Sequence, residues 1–292
     1  MDVEVLDPVS DTEAAKVPHP SMVYADIPLG ITRNLENDAY HGESSAVSST
    51  QLKRMLISAA HFASGFEEPE ESSEALLFGS VLHGRLLEPA TFAGRFFGMP
   101  KVDRRTKAGK ALAESLEKEA AGRARFPEDW LSAIDRIVAN ARAHRRVRRL
   151  LSAGEAEVAL SWIDPETGVK CKIKIDWWHD LRSLADVKSA ADITRDGFGK
   201  ACARLHYPLS AAMYCEGVYQ VTGEEPEWTF IACEKTAPHT VAAYDATEAF
   251  LHCGRQKLRT ALRRLAECRA KGVFPMLQGE GDSEPIDVPP WY

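Results

Sequence analysis

Hydrophobic and polar positions along this chain of 292 residues follow two different periods. Residues 47–63, VSSTQLKRMLISAAHFA, place Leu52, Met55, Leu56 and Ala59 on one stripe at helical spacing, with Ser48, Ser49 or Thr50 as N-cap. Residues 73–88, SEALLFGSVLHGRLLE, predict a second helix, capped by Ser72 or Ser73 and stopped by Pro89. Residues 104–124 are charged and Ala-rich, which predicts an exposed helix; PEDW at 127–130 starts another, running to about 151. Then the pattern shortens, and strands are predicted over 155–163, 169–178 and 182–188. Residues 194–221 read as a helix broken near Tyr207-Pro208, 227–234 and 239–245 as strands, and 246–271 as a long helix with a basic polar face. Helices, three strands, a helix, two strands and a helix predict one α/β domain, a mixed central sheet flanked by helices with a helical N-terminal part. Residues 1–30 are rich in Pro, Asp and Glu and are expected to be disordered or loosely attached. The domain then spans 31–292: a mainly helical part to 151, the sheet core over 152–274, and a Gly-, Pro- and acid-rich tail over 275–292 that closes with PPWY.

Composition adds little to this picture, and charge adds more. Hydrophobic content of 45% and charged content of 27% suit a water-soluble globular chain. No apolar run approaches the roughly 20 residues that cross a bilayer, and MDVEVLDPVSDTE lacks the basic and apolar regions of a signal peptide. A cytoplasmic protein without membrane contact is expected. The six cysteines are widely spaced with no CxxC, which predicts reduced thiols and no iron–sulfur cluster. The net charge of −7 is not that of a typical nucleic-acid binder, but it is unevenly spread. Residues 139–151, ANARAHRRVRRLL, carry five arginines and no acid. Arg142, Arg145, Arg146 and Arg149 fall at i, i+3, i+4 and i+7, one continuous helical stripe. It reads either as a solvated face or, preferably, as a contact with a DNA backbone. The basic stretch KVDRRTKAGK at 101–110 is a second candidate for the same role.

Candidate chemistry concentrates in residues 169–190, VKCKIKIDWWHDLRSLADVKSA. Strand alternation puts Val169, Cys171, Ile173 and Ile175 on one face, and Asp176 on the other with Lys170, Lys172 and Lys174. Asp186 and Lys188 share a face, and Val187 points into the core. Pairing of the two runs as a hairpin brings two carboxylates and one ammonium together on the polar side of the sheet. Two acids hold a hard cation such as Mg²⁺ through oxygen, and a lysine beside them orients a water or stabilises charge on a phosphate. The same residues also read as a surface hairpin with a salt bridge. His83 lies mid-helix between Gly79 and Gly84. Glycines inside a helix cost about 1 kcal/mol each and make sense where something must approach the backbone. By itself, His83 also reads as a core histidine satisfied by a carbonyl.

In order along the chain, these motifs resemble the PD-(D/E)xK nuclease superfamily in its RecB-like branch. The closer resemblance is to the RecE-type exonuclease domain (exodeoxyribonuclease VIII-like) of phage and prophage recombination systems. It is carried by AYHGESSAVSSTQLKRML, FGSVLHGRLLEP, EVALSWIDPETGVKCKIKIDWW, LADVKSA, LHYPLSAAMY and VPPWY, over roughly residues 38–292. The resemblance implies a PD-(D/E)xK nuclease-like sheet, with His83, Asp176, Asp186 and the Val187 carbonyl as ligands of Mg²⁺, for which Mn²⁺ substitutes. It implies Lys188 as the catalytic lysine. Glu157 would contact that lysine or a water at the metal; its other reading is a solvent-facing strand residue. Tyr214 matches a tyrosine over the active site that contacts DNA, whereas Ser210 stands where the family has Gln. The implied activity is resection of double-stranded DNA ends, 5′ to 3′, by a ring trimer or tetramer with a single-strand annealing protein as partner. A RecB-like nuclease acting on single-stranded DNA and a catalytically idle DNA-binding or assembly module are the alternatives.

Overall fold

The alternation read from the sequence becomes a six-stranded mixed sheet. The computed structural model describes residues 26–65, 74–278 and 283–288. Its first part comprises β1 (Gly30–Thr32), α1 (Asn37–Gly42), α2 (Ser49–Ile57), α3 (Ala59–Ser64) and α4 (Glu74–Leu87). Next come α5 (Phe92–Arg95), β2 (Phe96–Met99), α6 (Lys107–Glu119), β3 (Ala124–Pro127), α7 (Trp130–Ala143) and α8 (Arg145–Leu150). The core follows as β4 (Glu155–Ile163), β5 (Lys170–Asp180), β6 (Ser183–Ala190), α9 (Arg195–Arg204) and α10 (Tyr207–Thr222). It ends with β7 (Glu227–Glu234), β8 (Val241–Asp245) and α11 (Glu248–Lys271). The main sheet runs in the order β1-β4-β5-β6-β7-β8, and among the described residues only β6 and β7 of its strands pair in parallel, joined by the α9–α10 crossover.

Each face of the sheet has its own core. Along β7, Trp228, Phe230 and Ala232 enter one apolar cluster, with side chains of α2, α3, α9, α10 and α11. Ile231 and Cys233 enter the other, with α4, α7 and α8. This is the period-two pattern of a strand buried on both faces. A capping box fixes the start of α2: the Ser48 hydroxyl accepts from the Gln51 N–H, and the Gln51 side chain accepts from the Ser48 N–H.

The structure corrects several boundaries. The helix expected over 47–63 breaks at Ser58, which is extended and caps α3 by accepting from the His61 N–H. The helix expected to run to 151 breaks at His144, so the arginines are divided between α7 and α8 rather than forming one continuous stripe. A parallel pair, β2 with β3, sits inside the region expected to be helical. Ile27, in the stretch expected to be loosely attached, is 2% exposed and donates its N–H to Glu43 Oε2. Cys171, Cys202, Cys233 and Cys268 are buried free thiols, but Cys253 is exposed. The expected caps Ser72 and Ser73, the closing PPWY and most of residues 1–30 lie outside the described residues. Among the described residues, no helix is long and apolar enough to cross a membrane.

Candidate active site

The site is made by a split in the sheet. β5 and β6 leave their connection as an antiparallel pair, and the ladder stops at Trp177 opposite Ala185. Beyond that point β6 stays with β7, and the Val187 N–H, two residues past Ala185, donates to Asp176 Oδ2 at 2.9 Å. The freed edge of β5 is covered farther along by Val47, whose N–H donates to the Lys170 carbonyl and whose carbonyl accepts from the Lys172 N–H.

A second irregularity lies beside the split. Ala156 and Trp177 pack with the α4 cluster, whereas Val158 and Ile175 pack with the opposite one. Residues two apart in a regular strand share a face, so β4 and β5 both turn over at Glu157 and Asp176. The turnover in β4 is explicit in the backbone, where Glu157 has φ of 56°. A glutamate in the left-handed region inside a strand costs energy, and such outliers cluster at functional sites.

Three donors converge here. One ligand atom from each of His83, Glu157 and Asp176 lies within 4.8 Å of the others. His83 reaches in from α4, with Nδ1 3.5 Å from Asp176 Oδ2 and Nε2 2.6 Å from the Val187 carbonyl. A carbonyl only accepts, so Nε2 carries the proton in that bond. Nδ1 then faces the carboxylate, and the pair needs a proton or a cation between the two. Burial pushes the Asp176 carboxyl up to about 6 against the pull of His83, with Asp186 adding to the rise. Of the two helix glycines, Gly84 makes room for a ring, since a Cβ there would lie 2.5 Å from Phe96. Gly79 has space for a Cβ, with Ser189 Oγ nearest at 3.9 Å.

Asp186 and Lys188 do share a face, but it is not the face of His83. Lys188 Nζ donates to Asp186 Oδ1 at 2.7 Å and lies 5.5 Å from the centre of the Tyr207 ring, on the α10 side. The expectation of one polar side is therefore corrected: Asp176 faces His83 of α4, whereas Asp186 and Lys188 face α10. Burial works against the Lys188 ammonium, but Asp186 and Asp176 outweigh it and hold it above the ordinary lysine range. Asp186 is 6% exposed, and among the described residues its Oδ2 has no hydrogen-bond partner. A buried carboxylate oxygen without a donor is expensive, and a cation at the split satisfies it. The residues present thus fit a divalent ion: an imidazole nitrogen and two carboxylates within 4.8 Å of one another, with Asp186 outside that trio but offering an orphaned oxygen. The Val187 carbonyl, implied as a ligand, is engaged by His83.

The remaining candidates are dispersed. Glu157 joins the His83 trio and pairs with Lys174 at 3.2 Å, so it is not a solvent-facing residue. The lysine row of β5 is not a solvated face either. Lys172 is 2% exposed and donates to the carbonyls of Tyr40 and Glu43, and Lys174 donates to Leu35 O and Asn37 Oδ1. These lysines clamp the α1 segment over the sheet. Tyr214 is half-buried, its ring edge-on to Trp228 at 5.2 Å; burial above all, then Tyr40 and Asp176, hold its hydroxyl well above the ordinary range. It forms a wall of the site. Tyr207 and Lys53, which also approach Lys188, were not marked by any sequence motif.

Arg146 is a structural tie: it donates to Asp245 Oδ1 at 3.0 Å and Thr229 Oγ1 at 3.2 Å, joining α8 to β7 and β8. Arg142 belongs to a separate cleft with Arg85 and Asp135. Arg145, Arg148 and Arg149 are exposed and, with Arg146 and Ser152, surround an open groove of about 380 Å³.

The sequence matches, over residues 48–284, the family described as "PDDEXK-like domain of unknown function (DUF3799)". No curated protein sequence matches the chain. Its fold is similar to the crystal structure of a "putative exonuclease" from Eubacterium rectale, with a TM-score of 0.60 and 16% identity over 88% of this chain and 97% of the other. The split mixed sheet with an Asp-x-Lys strand at its centre, together with a match over most of its length, places this chain in the PDDEXK-like family.

Proposed function

We propose that this chain is a divalent-metal-dependent DNA nuclease that hydrolyses phosphodiester bonds at the ends of duplex DNA. The observation that carries the reading is the split itself. It brings two acids and a histidine together, and places beside them a lysine kept protonated by Asp186. His83, Asp176, Glu157 and Asp186 Oδ2 would hold Mg²⁺ or Mn²⁺. When bound, the ion supplies Lewis acidity at the phosphate and lowers the pKa of water. Lys188, held above its ordinary range, acts as a fixed charge and donor at the phosphate rather than as a base. Asp186 orients it through a 2.7 Å hydrogen bond. Tyr214 and Tyr207 narrow the space around it and exclude water, which strengthens each charge in the site.

RecE-type action from ends, in 5′ to 3′ direction, is the finer form of this proposal. It rests on the ordered motifs. Incubating linear and closed circular duplex with Mg²⁺ or Mn²⁺, with either end labelled, tests it. Loss of linear duplex from 5′ labels with circles intact is expected. Cutting of circles contradicts an end-dependent exonuclease, and intact linear duplex contradicts the nuclease reading.

The arginine groove gives a separate expectation. Replacing Arg145, Arg148 and Arg149 together by Ala is expected to weaken duplex binding, with the salt slope falling by about 0.9 for each phosphate no longer neutralised. Arg146→Ala is instead expected to lower the melting temperature, because it removes a donor to Asp245 and Thr229 and leaves Asp245 only the Thr229 hydroxyl among the described residues. Fluorescence anisotropy across a salt series and thermal melts separate the two roles. Unchanged affinity and slope in the triple variant would make the groove a solvated face.

A further inference from the structure

We propose that Lys53 and the first turn of α10 form a second phosphate subsite beside Lys188, for a DNA phosphate other than the one being cut. This rests on the nuclease reading for its ligand, and on separate geometry for its location. Lys53 Nζ lies 5.3 Å from the centre of the Tyr207 ring, and Lys188 Nζ lies 5.5 Å from the same ring. Tyr207 thus lies within reach of both ammonium groups, and cation–π contacts at this range hold such groups without neutralising them. Lys188 has Asp186 as its counter-charge. Among the described residues, Lys53 has only the Tyr207 ring as a partner, and no carboxylate or carbonyl accepts from it.

Its position is fixed rather than incidental. The capping box at Ser48 and Gln51 sets the start of α2, and Leu52 and Met55 beside Lys53 are fully buried. Val47, one residue before the cap, is hydrogen-bonded to β5 on both sides. The surroundings are cationic. Lys257 Nζ is 3.3 Å from His206 Nδ1, and His206 is the uncapped residue at the start of α10. The N-terminal end of that sixteen-residue helix adds positive potential, although Pro208 lacks an N–H and the Leu209 N–H already donates to the His206 carbonyl. Burial, then the charge of Lys188, pushes Lys53 down to about 8, with only Asp186 acting the other way. Burial and then Lys257 and Lys53 depress His206 as well. A partly buried lysine without a counter-ion is unfavourable in the free protein, and an arriving phosphate supplies what is missing. A nucleic-acid strand at Lys188 carries further phosphates on either side of the scissile one, so the ligand for Lys53 comes with the substrate.

The alternative is that Lys53 only lays its aliphatic stem on Tyr207. Lys53→Met keeps that stem and removes the charge, so the two roles separate. The proposal expects Lys53→Met to melt at or above the parental temperature, because an unpaired charge is gone. KM for linear duplex should rise roughly tenfold or more while kcat stays within a factor of about three. The salt slope of duplex binding, measured with Ca²⁺ under conditions where no cutting is seen, should fall by about one unit. Lys53→Arg should recover most of the binding. Duplexes with a 5′-phosphate or a 5′-hydroxyl identify the phosphate: a defect confined to the first assigns the terminal group, and an equal defect assigns an internal one. Parental KM and slope in Lys53→Met overturn the subsite while leaving the nuclease reading intact. A parent that binds duplex without cutting it overturns the nuclease reading, and the slope still decides the subsite. A parent that neither binds nor cuts overturns both.

Discussion

Lys188→Ala is expected to slow DNA cleavage by about a hundredfold to a thousandfold, the usual cost of removing one preorganised charge from a reacting centre. Ground-state affinity for duplex ends should change far less, because an interaction realised in the transition state contributes little to substrate binding. The structure adds a condition on stability. Asp186 is 6% exposed, and Lys188 is the donor to its one partnered oxygen. Removing Lys188 leaves a buried carboxylate unpaired, which typically costs about 3–5 kcal/mol. The metal-free variant should therefore melt below the parent, and Mn²⁺ should recover much of the difference by supplying positive charge to Asp186. Single-turnover cleavage, end-binding and melts with and without Mn²⁺ check the three parts. Parental cleavage by Lys188→Ala would reduce the Asp-x-Lys strand to a salt-bridged hairpin.

The sheet core was legible because its strands obey alternation. Residues 227–234, EWTFIACE, send alternate side chains into two cores, and the same rule located β4, β5 and β6. The break before α10 was legible from Tyr207-Pro208. What escaped was set by contacts distant in sequence. The β2–β3 pair joins FFGM to ARFP, short runs with a helix between them and no alternation of their own. The breaks at Ser58 and His144 occur inside good helical patterns. At His144 the chain turns so that Val147 and Leu150 enter the core and Arg146 reaches Asp245.

The site was legible in its residue types more than in its geometry. Asp176, Asp186 and Lys188 stood out because alternation pairs them across a hairpin, and His83 because it sits between helix glycines. Alternation then misplaced them, since it assumes a regular strand through Asp176. The left-handed Glu157 and the end of the β5–β6 ladder at Trp177 break that assumption. Neither has a composition signal: Glu157 is not a residue type that favours positive φ. Lys53 and Tyr207 were invisible for a simpler reason, because they meet Lys188 only through the packing of α2 and α10 on one face of the sheet.

Asp176→Asn is expected to abolish cleavage and, in the absence of divalent ions at pH 8, to make the protein more stable than its parent. Burial first, and Asp186 and Glu157 after it, raise the Asp176 carboxyl from 3.8 to about 6 in the folded chain. A carboxyl raised in the folded state binds its proton more tightly there than in the unfolded chain. The stability it contributes is full below about pH 3.8 and is lost as pH rises through about 6. Asn resembles the neutral acid at every pH, and its carbonyl still accepts from the Val187 N–H as Asp176 Oδ2 does. Stability of the variant relative to the parent should therefore grow between pH 4 and pH 7 and level off above, by about 1–3 kcal/mol. A divalent ion reverses the ranking. It binds the ionised carboxylate, so Mn²⁺ should raise the parental melting temperature more at pH 8 than at pH 5, and should do little for Asp176→Asn. Melting curves of both proteins across pH, with EDTA or Mn²⁺, give the four comparisons. An Asn variant that is less stable than the parent at pH 8 in EDTA would remove the strain assigned to this carboxylate. One that responds to Mn²⁺ as the parent does would remove Asp176 from the metal site.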